Sequence, residues 1–248
     1  MHEEFKISRD GVDSSVYAEL MDEEIDFFLN EAMDRYIKTH YSKNNVYRKG
    51  FEESQKRTDD LRILVKSKFV KVVQDTNYTA TDKNVWKAGL EPIVTTVGTT
   101  TTITQPFYDD EAYATISTDE YLFFIKCSVK SCKDTTDKCC EWKSVSLQQQ
   151  DDLYTLPGDP FNKPTVESPV LFFEDGQLHI WTGKGGEIKN VFLTFIKRPI
   201  RVSLSGNTDC ELSEHTHKEI VQMAVDITLE SLQSPRVQTN EENLQKME

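Results

Sequence analysis

The hydrophobic period of this chain changes twice, and that order constrains the fold more than any motif does. Apolar residues recur at helical spacing near both ends and alternate, strand-like, in between. Ile25, Phe28, Leu29, Ala32, Tyr36 and Ile37 make one apolar helix face, which predicts a helix from Asp22 to about Thr39. Asp22 is the expected cap, with Glu23 and Glu24 in the first turn where the helix dipole favours acids. A second, more polar helix is expected from about Phe51 to Leu64, anchored by Phe51, Leu61 and Val65. The last begins at Ser213 as N-cap, carries Ile220, Val221, Ala224, Val225, Thr228, Leu229 and Leu232, and stops at Pro235.

Between them the period falls to two. Strand character starts at Phe69, Val70, Val72 and Val73, and Thr95–Thr104 is β-branched nearly throughout. Ala112–Thr118, Tyr121–Val129, Ile188–Ile196 and Ile200–Leu204 read as further strands. Val170–Glu174 and Gln177–Trp181 flank Asp175-Gly176, a pairing that favours a two-residue hairpin turn. Pro157, Pro160, Pro164 and Pro169 mark a long loop. The expected fold class is therefore α+β: N- and C-terminal helices (20–65 and 207–234) form one helical domain, with an antiparallel β domain inserted at 66–206. Residues 1–19 are expected to be an arm, and 235–248 a polar tail.

Composition narrows the class further. Over 248 residues, 42 acids against 29 Lys and Arg leave a net charge of -13, which disfavours general binding to nucleic acid or anionic membrane. Leu, Ile, Val and Phe make up about a quarter of the chain, above the roughly 20% below which high charge signals disorder. Apolar content of 37% is still low for a compact monomer. No apolar run is long enough to span a bilayer, and the N-terminus lacks the basic start and apolar core of a signal peptide. A soluble protein, intracellular or virion-borne, is expected.

The five cysteines (Cys127, Cys132, Cys139, Cys140 and Cys210) are odd in number and follow no zinc spacing, so free thiols are expected, with no metal and no cofactor. His215 and His217, two apart on a helix, point in opposed directions and cannot share a metal. His179 reads as a core or surface histidine. Gly183-Lys184-Gly185-Gly186 lacks phosphate-loop spacing, and Asp109-Asp110-Glu111 and Asp151-Asp152 read as solvated loop acids. No catalytic constellation emerges, and a non-enzyme is expected.

Charge is segregated near the N-terminus. Residues 1–30 hold nine acids and two bases, and residues 35–71 hold eleven bases and four acids. Blocks of opposite sign in one subunit suit head-to-tail contact between identical copies. The basic segment is thus expected to dock on acidic surface of a neighbouring copy or another ring, with Arg57 and Arg62 at the interface.

Several strings carry a resemblance. They are Asp22–Lys38 (DEEIDFFLNEAMDRYIK), Phe51–Arg62 (FEESQKRTDDLR), Asn162-Lys163-Pro164 with Ser168-Pro169-Val170, Phe195-Ile196-Lys197-Arg198-Pro199, Cys210–Val221 (CELSEHTHKEIV) and Glu230–Gln238 (ESLQSPRVQ). Together they resemble the neck and tail ring proteins, the head–tail connector subunits, of crAss-like tailed phages infecting Bacteroidetes. The resemblance covers about half the chain and is weak over 75–160. It implies a structural virion protein, assembled in the host cytoplasm: a homo-oligomeric, dodecameric ring beneath the portal protein. Such a ring joins other tail ring proteins and passes DNA, and no membrane is involved. By the same analogy the C-terminal tail reaches a neighbouring ring, making Pro235, Arg236 and Val237 contact residues. Two other classes compete. One is a metal- or cysteine-dependent phage enzyme using the cysteine cluster. The other is a β-domain glycan- or receptor-binding module presenting Trp142, Tyr154 and Trp181.

Overall fold

The computed structural model describes residues 1–12, 20–42, 50–70, 72–74, 85–88, 94–97, 100–103, 120–132, 140–154, 156, 161, 163–174, 177–183 and 187–231. The fold is α+β, with helices at both ends of the chain and predominantly antiparallel sheets between them. It divides into two compact units, 1–64 with 199–248 and 65–198, so the chain crosses between them at Leu64–Val65 and at Arg198–Pro199. Among the described residues no helix is long and apolar enough to cross a membrane.

The first unit holds α1 (His2–Val12), α2 (Asp22–Tyr41), a 3-10 turn (Phe51–Glu53), α3 (Gln55–Leu61) and α4 (Glu214–Ser231). The arm expected at 1–19 is a helix over its first part. Phe5 is fully buried, His2 Nε2 lies 2.6 Å from Asp26 Oδ1, and Lys6 Nζ lies 3.1 Å from Asp22 Oδ1. The pairs 2/26 and 6/22 run in opposite directions, so α1 lies antiparallel to α2. Among the described side chains of α1 only Phe5 is apolar and buried, too little for a period, and tertiary contact supplies the rest. The cap of α2 is Met21 rather than Asp22: the Met21 N–H donates to the Glu24 carboxylate at 2.9 Å. Of the expected face Ile25, Leu29, Ala32, Tyr36 and Ile37 are buried while Phe28 is only half-buried, Met33 joins them, and α4 packs there with Ile220, Val221, Ala224, Val225 and Leu229.

Residues 200–204 are not the strand their alternation suggests. They belong to the helical unit, where Asn30 brackets Val202 and the Asp26 carboxylate accepts from the Leu204 N–H, leaving one bridge, Ser203 with Thr208. Their backbone is satisfied by helix side chains instead of a ladder.

In the second unit β1 (Val65–Val70), β6 (Tyr121–Cys132), β7 (Glu141–Ser144) and β11 (Glu187–Lys197) form a four-stranded sheet ordered β1-β11-β6-β7. A second sheet runs β2-β3-β10-β9-β8, from β2 (Val72–Gln74), β3 (Val85–Ala88), β8 (Ser146–Leu147), β9 (Val170–Glu174) and β10 (Gln177–Trp181). One residue separates β1 from β2, and Val145 alone separates β7 from β8. Edge strand β7 thus passes through Val145 into β8, the edge strand of the second sheet. Val70, Cys127, Val129, Val191, Leu193 and Phe195 from one sheet meet Leu171, Leu178 and Ile180 from the other. The β8–β9 pairing is parallel, because the proline-marked connection separates the two strands, where a tight turn would have made them antiparallel. The Thr-rich stretch forms β4 (Val94–Val97) and β5 (Thr100–Ile103), paired antiparallel. The strand expected at Ala112–Thr118 and the Asp175-Gly176 turn lie outside the described residues, although the Glu174–Gln177 register leaves two residues for that turn.

The cysteine expectation is corrected here. Cys132 and Cys140 form a disulfide, while Cys127 and Cys210 are free and Cys139 lies outside the described residues. The β6–β7 register runs Ser128/Ser144 to Ser131/Glu141, and its next step is Cys132 opposite Cys140. The bridge is thus a cross-strand link closing the hairpin at a sequence separation of 8. For a loop this short the chain-entropy estimate is about 2.5 kcal/mol. Replacing both cysteines with serine should lower the stability of the β unit by roughly that amount in chemical denaturation. A double variant as stable as the oxidised parent would contradict it.

Candidate functional site

A polar cluster joins α2, α3 and α4 inside the helical unit. Asp60 is 1% exposed. Its Oδ1 lies 2.8 Å from His215 Nε2, and its Oδ2 lies 3.5 Å from His40 Nε2. His40 stacks on Tyr36 with ring centroids 3.9 Å apart, and its Nδ1 donates to the Tyr36 carbonyl at 3.0 Å. Helical spacing makes this possible, since Tyr36 and His40 are four apart on α2 and His215 and Glu219 four apart on α4. The Lys56 ammonium meets the Glu219 carboxylate at 2.9 Å on the cluster's outer side. Burial, reinforced by Glu219 and Asp60, pushes the Tyr36 hydroxyl far above the usual tyrosine range, so it stays protonated. That hydroxyl and Asp60 Oδ2 have no hydrogen-bond partner among the described residues.

Burial lowers the pKa of His40 below its ordinary 6.5, against the opposing pull of the Tyr36 carbonyl, Asp60 and Glu219; nearby Arg57 also lowers it. The fold holds the neutral ring, and the unfolded chain takes up the proton first as pH falls. His40 therefore contributes stability above pH 6.5 that is lost as pH drops towards its lowered folded pKa. Thermal melts of the full chain should show the melting temperature falling from about pH 7 to about pH 5, and His40→Gln should flatten that slope. An unchanged slope in the variant would exclude His40 as the source.

Chemically the cluster is a lock between three helices. His215 is its most accessible member, with 57% of its side chain exposed. Cys210, at 4.0 Å from the Met33 sulfur, has its thiol pushed up by burial, and burial pushes the Cys127 thiol up to about 12. Neither has thiolate character at neutral pH. Among the described residues no three His, Cys, Asp or Glu side chains converge as a metal-ligand set. His217 turns away from His215 to bond the Leu212 carbonyl at 3.0 Å.

The sequence-predicted contact residues fall in different places. Arg62 is an exposed side chain, 68% accessible, with Asp59 at 3.9 Å. Arg57 is 5% exposed, packed inside its own subunit three residues from Asp60 and 3.5 Å from the Thr39 carbonyl. A guanidinium already buried in its own fold is not available to a partner, so the docking role expected of Arg57 is withdrawn. Pro235, Arg236 and Val237 lie outside the described residues. Trp181 sits in a small core with Leu156, Val170 and Phe172, and His179 is buried against Phe172; neither forms a surface platform. Asp151 and Asp152 are exposed in a 3-10 turn. Gly183 has φ 74°, and the Pro164 carbonyl stands where a Cβ would lie, so backbone conformation and close packing both require glycine there.

Two surface regions were not foreseen. On α2 the outward stripe is Glu23, Glu24, Phe27 and Glu31, changing sign at Arg35 and Lys38. Phe27, 63% exposed, has those acids as its helical neighbours and packs edge-on against Phe28, ring centroids 5.6 Å apart. On the outer face of the β1-β11-β6-β7 sheet, Phe69 lies 4.9 Å from Phe192 and 6.1 Å from the half-exposed Trp142, with Lys126 and Lys130 on the same face. Small Ser128 occupies the intervening register position, leaving room for the Trp142 ring.

Compared with known proteins, the chain matches no protein-family model and no curated protein.

Proposed function

We propose that this chain is a structural virion protein, a subunit of a multi-copy ring in the neck of a crAss-like tailed phage that joins the portal to the tail and lets DNA pass. The observation that carries the reading is where the family-like strings fall. Asp22–Lys38 lies within α2, Phe51–Arg62 covers the 3-10 turn and α3, and Cys210–Val221 covers the start of α4. Strings far apart in sequence thus supply one packed unit, including the Asp60–His215 contact between residues 155 apart. Exposed Ile7, Met21, Phe27, Ile200 and Leu204 on that unit add support, since large apolar side chains left in water suit a subunit with neighbours. A metal- or cysteine-dependent enzyme has less behind it: two of its thiols are joined, and two more are held protonated.

Negative-stain microscopy of the protein mixed with its phage's portal protein tests the reading. Rings seated on the portal are expected; a portal that remains bare at saturating subunit would count against it.

A further inference from the structure

We infer that the ring contact is head-to-tail: the acidic, Phe27-centred stripe of one copy seats on the lysine-flanked aromatic face of the β unit of the next. This rests on the ring reading and names its surfaces. The two regions complement each other in both terms that drive association. Each has an apolar centre that reaches solvent, Phe27 on one and Trp142 beside the half-buried Phe69 and Phe192 on the other. Each centre is edged by one sign of charge, with Glu23, Glu24 and Glu31 against Lys126 and Lys130. Lys126, Lys130, Glu23 and Glu31 make no ion pair within their own chain among the described residues, so these charges stay available to a partner. By contrast Lys56 and Lys68 are spent internally, on Glu219 and Glu120 at 2.9 and 2.7 Å. Two different patches on one subunit define a heterologous interface, the kind that propagates around a ring, whereas a two-fold dimer needs one self-complementary patch. An apolar centre inside a charged rim supplies affinity, and the charges supply register.

The test uses the full chain under conditions in which the wild type assembles, alone or on the portal. Glu23→Lys with Glu31→Lys, and separately Lys126→Glu with Lys130→Glu, should each weaken assembly by at least about tenfold. The fourfold variant carrying both swaps should recover it, because its two patches are complementary again. Glu23, Glu31 and Lys126 are exposed and Lys130 is partly exposed, and circular dichroism checks that each variant is folded. A photo-crosslinking residue in place of Phe27 should capture a peptide containing Lys126–Lys130 or Trp142 from a second copy. Rings that form normally from either double variant, or a crosslink to the portal instead, would overturn the contact while leaving the ring reading intact. A wild-type chain that assembles neither alone nor on the portal would overturn both.

Discussion

Arg57→Glu is expected to unfold the helical unit, and Arg62→Glu to leave it folded. The two arginines are five residues apart in one basic segment, yet their surroundings differ completely. Arg57 is buried with Asp60 one helical turn away, so reversing its sign places two carboxylates in a site that excludes water. Removing one partner of a buried charged group costs about 3–5 kcal/mol, and a like charge adds to that. Domains are stable by only about 5–15 kcal/mol, so the change uses up much of the margin. Arg62 faces solvent with Asp59 at 3.9 Å, an exposed pair worth about 0–1 kcal/mol. Urea denaturation of both variants decides the matter. Equal midpoints for the two would contradict the burial of Arg57 within its own subunit.

Asn30→Leu should cost about 2–5 kcal/mol, although the two side chains are similar in size. The Asn30 Oδ1 accepts from the Val202 N–H at 2.8 Å, and its Nδ2 donates to the Val202 carbonyl at 2.8 Å and the Asp26 carbonyl at 2.7 Å. One amide thus does for Val202 what a neighbouring strand would do. Leucine fills the space but strands a buried N–H and C=O together, each carrying its own desolvation penalty. Amide exchange gives a local readout: protection at Val202 and Leu204 should fall by more than that of α4. A stability loss under about 1 kcal/mol would mean that water replaces the amide without difficulty.

The fold class and the main elements are legible in the sequence because α2, α4, β9, β10 and β11 carry long, regular apolar periods. What is not legible depends on distant partners. Helix α1 rests on Phe5, the His2–Asp26 hydrogen bond and the Lys6–Asp22 ion pair, none of which has a periodic signature. Asn30, a polar residue between Leu29 and Met33 on a buried face, was the one available sign that something other than a strand holds 200–204. The Cys132–Cys140 link follows from hairpin register, which an odd cysteine count conceals. Charge segregation sets the basic segment apart, but charge alone cannot tell an arginine that faces solvent, Arg62, from one buried in its own subunit against the Thr39 carbonyl, Arg57. The cluster of Tyr36, His40, Asp60 and His215 draws on three helices separated by most of the chain, so no local motif announces it.

The most direct test of the account is the native mass of the purified protein, alone and mixed with the portal protein of its phage. A closed oligomer, or a fixed number of copies on each portal, is the predicted result. A strict monomer that leaves the portal's mass unchanged would contradict the account.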